Sequence, residues 1–210
     1  MEGQNRSVTL AGSPVKHRCH ACAFFHDREE EDRLLMPFVK EGFEQDDKIF
    51  QIVDGRHRDE CLRRIGALGI DVGAAERSGQ LEVRPWEQAH LREGRFDQYA
   101  MLGLVEEVLG KGKREFGLTR FWANMEWSLE DFPGTDDIVE YEARLNEVTS
   151  RFEDVVVCTY DLNRFSATVV MDILRTHPQV IVGGILQENP FYLPPEQFLE
   201  ELRTRSLTVQ

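Results

Sequence analysis

The sequence predicts an α/β fold in which a mostly parallel sheet carries helices on both faces, and three observations predict it. Short runs of strand-forming residues alternate with longer segments of helical periodicity along the whole chain, the pattern of repeated βαβ units. A length of 210 residues, 41% hydrophobic and 30% charged, suits one α/β core. No internal repeat and no linker rich in Gly, Ser or Pro divides the chain. A single domain over 17–210 is therefore expected behind a polar, flexible N-terminal arm over 1–16, with at most a short edge strand at Val8 to Ala11.

The first strand runs from Arg18 to Phe25. Asp27, with Glu30 three residues on, is an N-cap and capping-box pattern. It opens a helix whose stripe is Leu34, Leu35, Phe38, Val39 and Phe43, with Glu29 to Glu31 suiting the first turn. Pro37 predicts a kink or a late start there, and Gly42 weakens the end. Lys48 to Val53 reads as a buried strand closed by Asp54-Gly55. A helix over 57–68 stops at Gly69, and Leu81-Glu82-Val83 is a short strand. A helix over 96–109 carries the stripe Tyr99, Leu102, Val105, Val108 and Leu109, and a strand spans 118–125. Asp136 or Asp137 caps a helix with Ile138, Tyr141, Leu145 and Val148, before the strand over 155–160. Asn163 is the expected cap of a helix over 165–175 that His177-Pro178 stops. Val180 to Val182 with Ile185-Leu186 reads as a strand and hairpin partner, and Pro194 or Pro195 starts a last helix at its first position.

Composition excludes several function classes. No apolar run approaches the roughly 18 residues a bilayer span needs, and Met1 to Pro14 lacks the continuous apolar core of a signal peptide. A cytoplasmic protein with its 4 cysteines as thiols is expected, with no membrane partner. A net charge of −13 argues against direct nucleic-acid binding. ATP is not expected either, because the turn after the first strand is His26-Asp27-Arg28-Glu29, the opposite of a phosphate cradle. Gly110-Lys111-Gly112-Lys113 follows a helix and lacks the next Ser or Thr, so it reads as a solvated turn. There is no Gly-x-Ser-x-Gly elbow and no His-Glu-x-x-His helix.

The densest reactive stretch is His17 to His26, with three histidines and two cysteines. Cys19-x-x-Cys22 suggests zinc or dithiol chemistry, but Cys61 and Cys158 offer no second short-spaced pair. On a strand, side chains alternate, so Cys19 and Cys22 point opposite ways while His20 and Cys22 share a face. Those two could touch one small ligand or supply two ligands to a divalent metal, the one cofactor this pair suggests. The other reading of the same residues is a histidine satisfied by a carbonyl and a cysteine packed as a small hydrophobe. Ligands of such sheets bind outside the carboxyl ends of the strands. That rule adds Phe25, Glu126, Trp127, Tyr160 and Asp161 as candidate ligand-binding residues. Glu126 and Asp161 also read as a carboxylate pair of either acid–base or structural purpose.

Taken together, His20-Ala21-Cys22-Ala23-Phe24-Phe25, Met125-Glu126-Trp127, Glu140-Tyr141-Glu142 with Asn146, Val157-Cys158-Thr159-Tyr160-Asp161 with Arg164-Phe165-Ser166, His177-Pro178, Gly183-Gly184 and Glu188-Asn189-Pro190-Phe191-Tyr192 resemble the MEDS domain, the methanogen and methylotroph sensory domain. The resemblance spans residues 17 to 205. It implies a RecA/KaiC-like three-layer fold that has lost its phosphate-binding loop. It also implies a sensor of simple hydrocarbon derivatives, with the His-x-Cys contacts falling on His20 and Cys22. Family members commonly join a DNA-binding or histidine-kinase output, and no segment here reads as either. The expectation is a non-catalytic small-molecule sensor signalling through a partner protein such as a histidine kinase or regulator, and a homo-oligomer is compatible with it. Two alternatives stand beside it: a thiol enzyme using Cys22 with His20 or His26, and a protein-interaction module of a kinase or anti-sigma pathway.

Overall fold

The structure is a computed structural model and describes residues 7–15 and 18–208. Its centre is a strand buried on both faces: β3 (Cys19–Phe25) has every residue inside, as expected where apolar residues run without alternation. Around it stand β4 (Lys48–Val53), β5 (Leu81–Pro85), β6 (Thr119–Asn124), β7 (Val155–Asp161), β8 (Gln179–Val182) and β9 (Ile185–Glu188). The sheet order is β5-β4-β6-β7-β3-β8-β9, parallel throughout except for the antiparallel hairpin strand β9. The register places His20 beside Val156, Cys22 beside Cys158 and Phe24 beside Tyr160. These positions face one core layer, while Cys19, Ala21, Ala23 and Phe25 face the other.

The helices α1 (Arg28–Glu44), α2 (Arg58–Ala67) and α3 (Val72–Ser78) contribute Leu35, Phe38, Cys61, Ile65 and Ala75 to the second layer. The helices α4 (Gln98–Glu115), α5 (Ile138–Thr149) and α6 (Ala167–Thr176) cover the first. α7 (Pro195–Thr208) packs Phe198 and Leu199 against Ala143 of α5. Among the described residues no helix is long and apolar enough to cross a membrane.

Asp27 caps α1 by accepting from the Glu30 amide at 2.8 Å. The Glu30 carboxylate returns the bond one residue earlier than a capping box would, to the His26 amide at 2.9 Å. Several local expectations are corrected. The arm expected to be flexible is, over 7–15, a hairpin of β1 (Val8–Leu10) and β2 (Ser13–Val15) with Val8 and Leu10 in the core, because this pair covers the outer side of α1. Residues 1–6, 16 and 17, including His17, lie outside the described residues. α1 runs from Arg28 through Pro37 rather than starting late. Gly42 is a close-approach position, since a Cβ there would meet Ile49 and the buried Arg120. Gly110 to Lys113 belong to α4 rather than a turn, and Gly112 is where that helix presses on Thr119. The buried face of α4 is Met101, Leu104, Val105, Val108 and Leu109, leaving Tyr99 64% exposed. Ser166, not Asn163, caps α6, because the helix starts at Ala167 and the Ser166 hydroxyl accepts from the Val169 amide, while the Asn163 amide nitrogen donates to the His26 carbonyl. α3 was not expected; Asp71 starts it by accepting from Ala74.

Candidate functional site

On the sheet face under α5 and α6, four side chains from four elements converge. His20 of β3, Glu142 of α5, Cys158 of β7 and His177 at the entry to β8 bring one ligand-type atom each within 4.8 Å of one another, all buried. The glutamate Oε2 lies 3.3 Å from Nε2 of His20 and 3.3 Å from Nε2 of His177. The Cys158 sulfur is 3.7 Å from His20 Nε2, and the imidazole centroids are 4.2 Å apart.

The surrounding hydrogen bonds fix the orientation of each group. The Asn146 amide nitrogen donates to the carbonyls of Thr176 at 2.7 Å, Glu142 and Ala143, so its oxygen must be the atom 3.0 Å from His20 Nδ1. An amide oxygen only accepts, so Nδ1 of His20 carries the hydrogen. The Thr176 hydroxyl donates to the Ile173 carbonyl, and Nδ1 of His177 sits 2.9 Å from that same carbonyl, which requires hydrogen on this Nδ1 too. Both Nε2 atoms therefore turn toward Glu142. Tyr160 donates its hydroxyl to Glu142 Oε1 at 2.6 Å. Oε2, like His177 Nε2, is left without a hydrogen bond of good geometry despite facing both rings.

Burial opposes the charged form of His20, and the neighbouring His177 adds to the effect, so its basicity is lowered. Burial likewise opposes charge on His177, yet the pull of Cys22 and Glu142 holds that ring well above the ordinary histidine range. Burial also opposes ionisation of Glu142, and the facing His177 and His20 overcome it, keeping the group a carboxylate. Burial raises the Cys158 and Tyr160 groups, so both stay protonated around that carboxylate.

The seven sequence-predicted residues separate into three places. His20, Cys22 and Tyr160 meet on the face just described. Cys22 touches His177 and donates to the Gln179 carbonyl at 3.8 Å, and it is Cys158 that joins His20 in the four-residue cluster. Phe25, Glu126, Tyr160 and Asp161 line one crevice at the carboxyl edge, with Asp27, Arg28 and Asn124. Glu126 is paired with Arg164 there, and Asp161 accepts from the Asn163 amide at 2.8 Å. Each carboxylate is thus engaged by its own partner. Trp127 lies elsewhere, stacked on His90 at 4.6 Å and packed on Phe96 at 4.2 Å.

Sequence reasoning missed Glu142, His177, Asn146 and His90 as site residues and read Cys158 as packing. A signal for two of them existed. Glu142 and Asn146, four apart, fall on one helical face beside the apolar positions Tyr141 and Leu145, where polar residues need a buried partner. His177 has no such signal, since it reaches the cluster only because β8 pairs with β3.

The comparisons agree with this architecture. The chain is 26% identical over 169 residues to the transcriptional repressor DcmR of Methylorubrum extorquens, spanning 80% of this chain but only 61% of that protein. Among solved structures, the flagellar accessory protein FlaH from Methanocaldococcus jannaschii is similar with a TM-score of 0.52 at 14% identity, over 84% of this chain and 78% of that one. A KaiC-like protein from Pyrococcus horikoshii OT3 gives 0.56 at 12% identity, over 78% and 70%. A third, from Pyrococcus horikoshii in complex with an unknown peptide, gives 0.58 at 12% identity, over 80% and 78%. These show a KaiC/RecA-like fold. The family model described as the methanogen/methylotroph, DcmR sensory domain matches residues 19–178. Running from the first residue of β3 to the residue before β8, that match makes the chain a member of the MEDS family of sensory domains.

Proposed function

We propose that this sensory domain detects a small, largely apolar molecule, a simple hydrocarbon derivative, and passes the signal to a partner protein without catalysing a reaction. The observation that carries the reading is Tyr160. It borders the crevice at the carboxyl edge with Phe25, Glu126 and Asp161, while its side chain turns into the other core layer, where the hydroxyl holds Glu142 inside the His20–His177 cluster. A ligand in the crevice that displaces the end of β7 at Tyr160 changes a hydrogen bond on a buried carboxylate, and a group so placed responds strongly to small displacements.

A regulatory role has support in the likeness to a transcriptional repressor; a regulator or histidine kinase as the receiving partner is part of the proposal. Nucleotide binding does not fit. The turn that would cradle phosphate presents Asp27 as the α1 cap, followed by Glu29, Glu30 and Glu31 in the first turn, and negative side chains at a helix start repel an anion. The thiol-enzyme alternative is disfavoured by burial, because Cys22 is 0% exposed and its thiol donates to the Gln179 carbonyl. Of its two suggested bases, His20 is buried against Glu142 and His26 is on the surface against Glu30.

The test is a thermal-shift screen with small haloalkanes, alcohols and aldehydes. A ligand at one hundred times its dissociation constant stabilises by about 2.7 kcal/mol. Tyr160→Phe should weaken or abolish the response. No shift with any of these compounds, or an unchanged response in both Tyr160→Phe and His20→Ala, would refute the assigned site, and rapid selective alkylation of Cys22 at neutral pH would favour the enzyme.

A further inference from the structure

The four converging side chains have the composition and spacing of a metal centre. Zinc binds histidine nitrogen at about 2.0–2.1 Å, carboxylate oxygen at about 2.0–2.2 Å and thiolate sulfur at about 2.3 Å. In a tetrahedron these lengths separate nitrogen from oxygen by about 3.3–3.5 Å and nitrogen from sulfur by about 3.6 Å. The separations here are 3.3 Å from His20 Nε2 to Glu142 Oε2, 3.3 Å from His177 Nε2 to the same oxygen, and 3.7 Å from His20 Nε2 to Cys158 Sγ. These three match edges of that tetrahedron, and all four ligand atoms lie within 4.8 Å of one another.

Three further observations point the same way. Both histidines place hydrogen on Nδ1, toward the Asn146 oxygen and the Ile173 carbonyl, which turns both Nε2 atoms to the centre, where a bound cation would take the place of a proton. Such an outer hydrogen bond on the far ring nitrogen is the usual support of a metal-ligating histidine. Glu142 Oε2 and His177 Nε2, both fully buried, lack a hydrogen bond of good geometry, although buried polar atoms seldom go without one. The charges also close: one thiolate and one carboxylate neutralise a divalent cation, which removes the cost of a bare buried charge.

We infer that His20, Glu142, Cys158 and His177 form a mononuclear site for a thiolate-binding divalent cation, zinc foremost, with Asn146, Tyr160 and the Ile173 carbonyl as its outer supports. Nitrogen and sulfur donors in tetrahedral array favour zinc over the oxygen-seeking magnesium or calcium. Four protein ligands leave no open position, so the site is a structural and signal-bearing centre rather than a hydrolytic one. Cys22 lies beside it and is not a ligand. The inference stands on ligand geometry and does not depend on which small molecule the domain senses.

Native mass spectrometry and elemental analysis of the purified chain test it first, with one zinc per chain expected. Cobalt exchanged into the chain should give the intense visible bands of a four-coordinate ion and a near-ultraviolet thiolate-to-cobalt band. Cys158→Ser should remove the thiolate band and Cys22→Ser should keep it. Metal-free protein that takes up neither Zn²⁺ nor Co²⁺ and whose melting temperature neither ion raises would overturn the inference, as would a thiolate band lost in Cys22→Ser and kept in Cys158→Ser. Should Cys158→Ser fail to fold, the stoichiometry and cobalt spectrum of the unaltered chain still decide. A metal-free chain that nonetheless responds to haloalkanes would refute the metal and leave the sensory reading standing; a metal-loaded chain that responds to none does the reverse.

Discussion

Acidification should destabilise this protein through one residue, His90. The ring sits in the turn between β5 and α4, 2% exposed, stacked on Trp127 and edge-on to Tyr141, with no hydrogen-bond partner for either nitrogen. Burial pushes its pKa down to about 3, with the Glu142 carboxylate as the weaker, opposing influence. The ordinary value of 6.5 holds in the unfolded chain. Between those two values the unfolded state binds more protons than the folded one, so stability falls as pH drops below 6.5, and the full loss is reached near pH 3. From pH 7 to pH 4 this one group should cost about 3 kcal/mol. The assay is urea unfolding at a series of pH values for the unaltered chain and for His90→Phe, which keeps an aromatic ring against Trp127. Phe is larger, and any packing penalty is a constant that shifts its curve at every pH equally. The difference between the two curves isolates the histidine, because titrations elsewhere are common to both. His90→Phe should gain about 3 kcal/mol on the unaltered chain between pH 7 and pH 4. A difference that stays flat within about 0.5 kcal/mol over that range would show that the ring meets a proton-accepting partner or water, and the dry aromatic packing drawn from the structure would be wrong.

Asp154 should act with the opposite sign. Burial raises its carboxyl to about 6, against the bond it accepts from the Thr119 amide, so its contribution is complete below 3.8 and is lost as pH rises through 6; Asp154→Asn should be more stable than the unaltered chain at pH 8 by up to about 3 kcal/mol and nearly equal at pH 4, as read by urea unfolding. Tyr160→Phe keeps the ring against Phe165 at 5.1 Å but strands Glu142 Oε1, and should cost about 1–3 kcal/mol in chemical denaturation; a loss within error would mean the carboxylate has another donor. Gly112→Ala drives a Cβ into Thr119 Oγ1 and should cost about 1–3 kcal/mol, and Thr119→Ala should recover part of it, which a double-mutant cycle measures.

The layer architecture was legible because its signals are local. The periods of β3, α1, β4, α5 and β7 stand in the sequence, and the strand boundaries fall within a residue or two of expectation. Errors arose where a polar or small residue had two uses. Asn163 looks like a cap but serves the His26 carbonyl, and Gly112 looks like a turn but is a helix–strand contact. The site was half legible. Strand alternation correctly put His20 and Cys22 on one face and Cys19 on the other. It could not show that Cys158 stands directly across from Cys22, since that depends on the β3–β7 register, nor that His177 arrives through β8. Glu142 carried only the weak signal of sharing a helical face with Asn146 beside Tyr141 and Leu145, which marks burial but not its partners.

The placement of the cluster also revises a general expectation for this architecture. Open α/β sheets bind ligands beyond the carboxyl ends of their strands, and Phe25, Glu126 and Asp161 do lie there. His20, however, is the second residue of β3, and His177 precedes β8, so the chemically richest groups sit toward the opposite half of the sheet, under α5. A fold of this kind that binds nucleotide uses the loop after its first strand; here that loop carries Asp27 as the cap of α1 with Glu29, Glu30 and Glu31 in its first turn, side chains that repel an anion. Residues i and i+2 of a strand share a face, and β7 uses this to join the two regions, with Cys158 in the cluster and Tyr160 reaching from the crevice to Glu142. A molecule at the carboxyl edge therefore need not enter the buried centre to change it. On the proposed reading it has only to displace the end of β7 at Tyr160, whose hydroxyl holds the carboxylate between the two histidines.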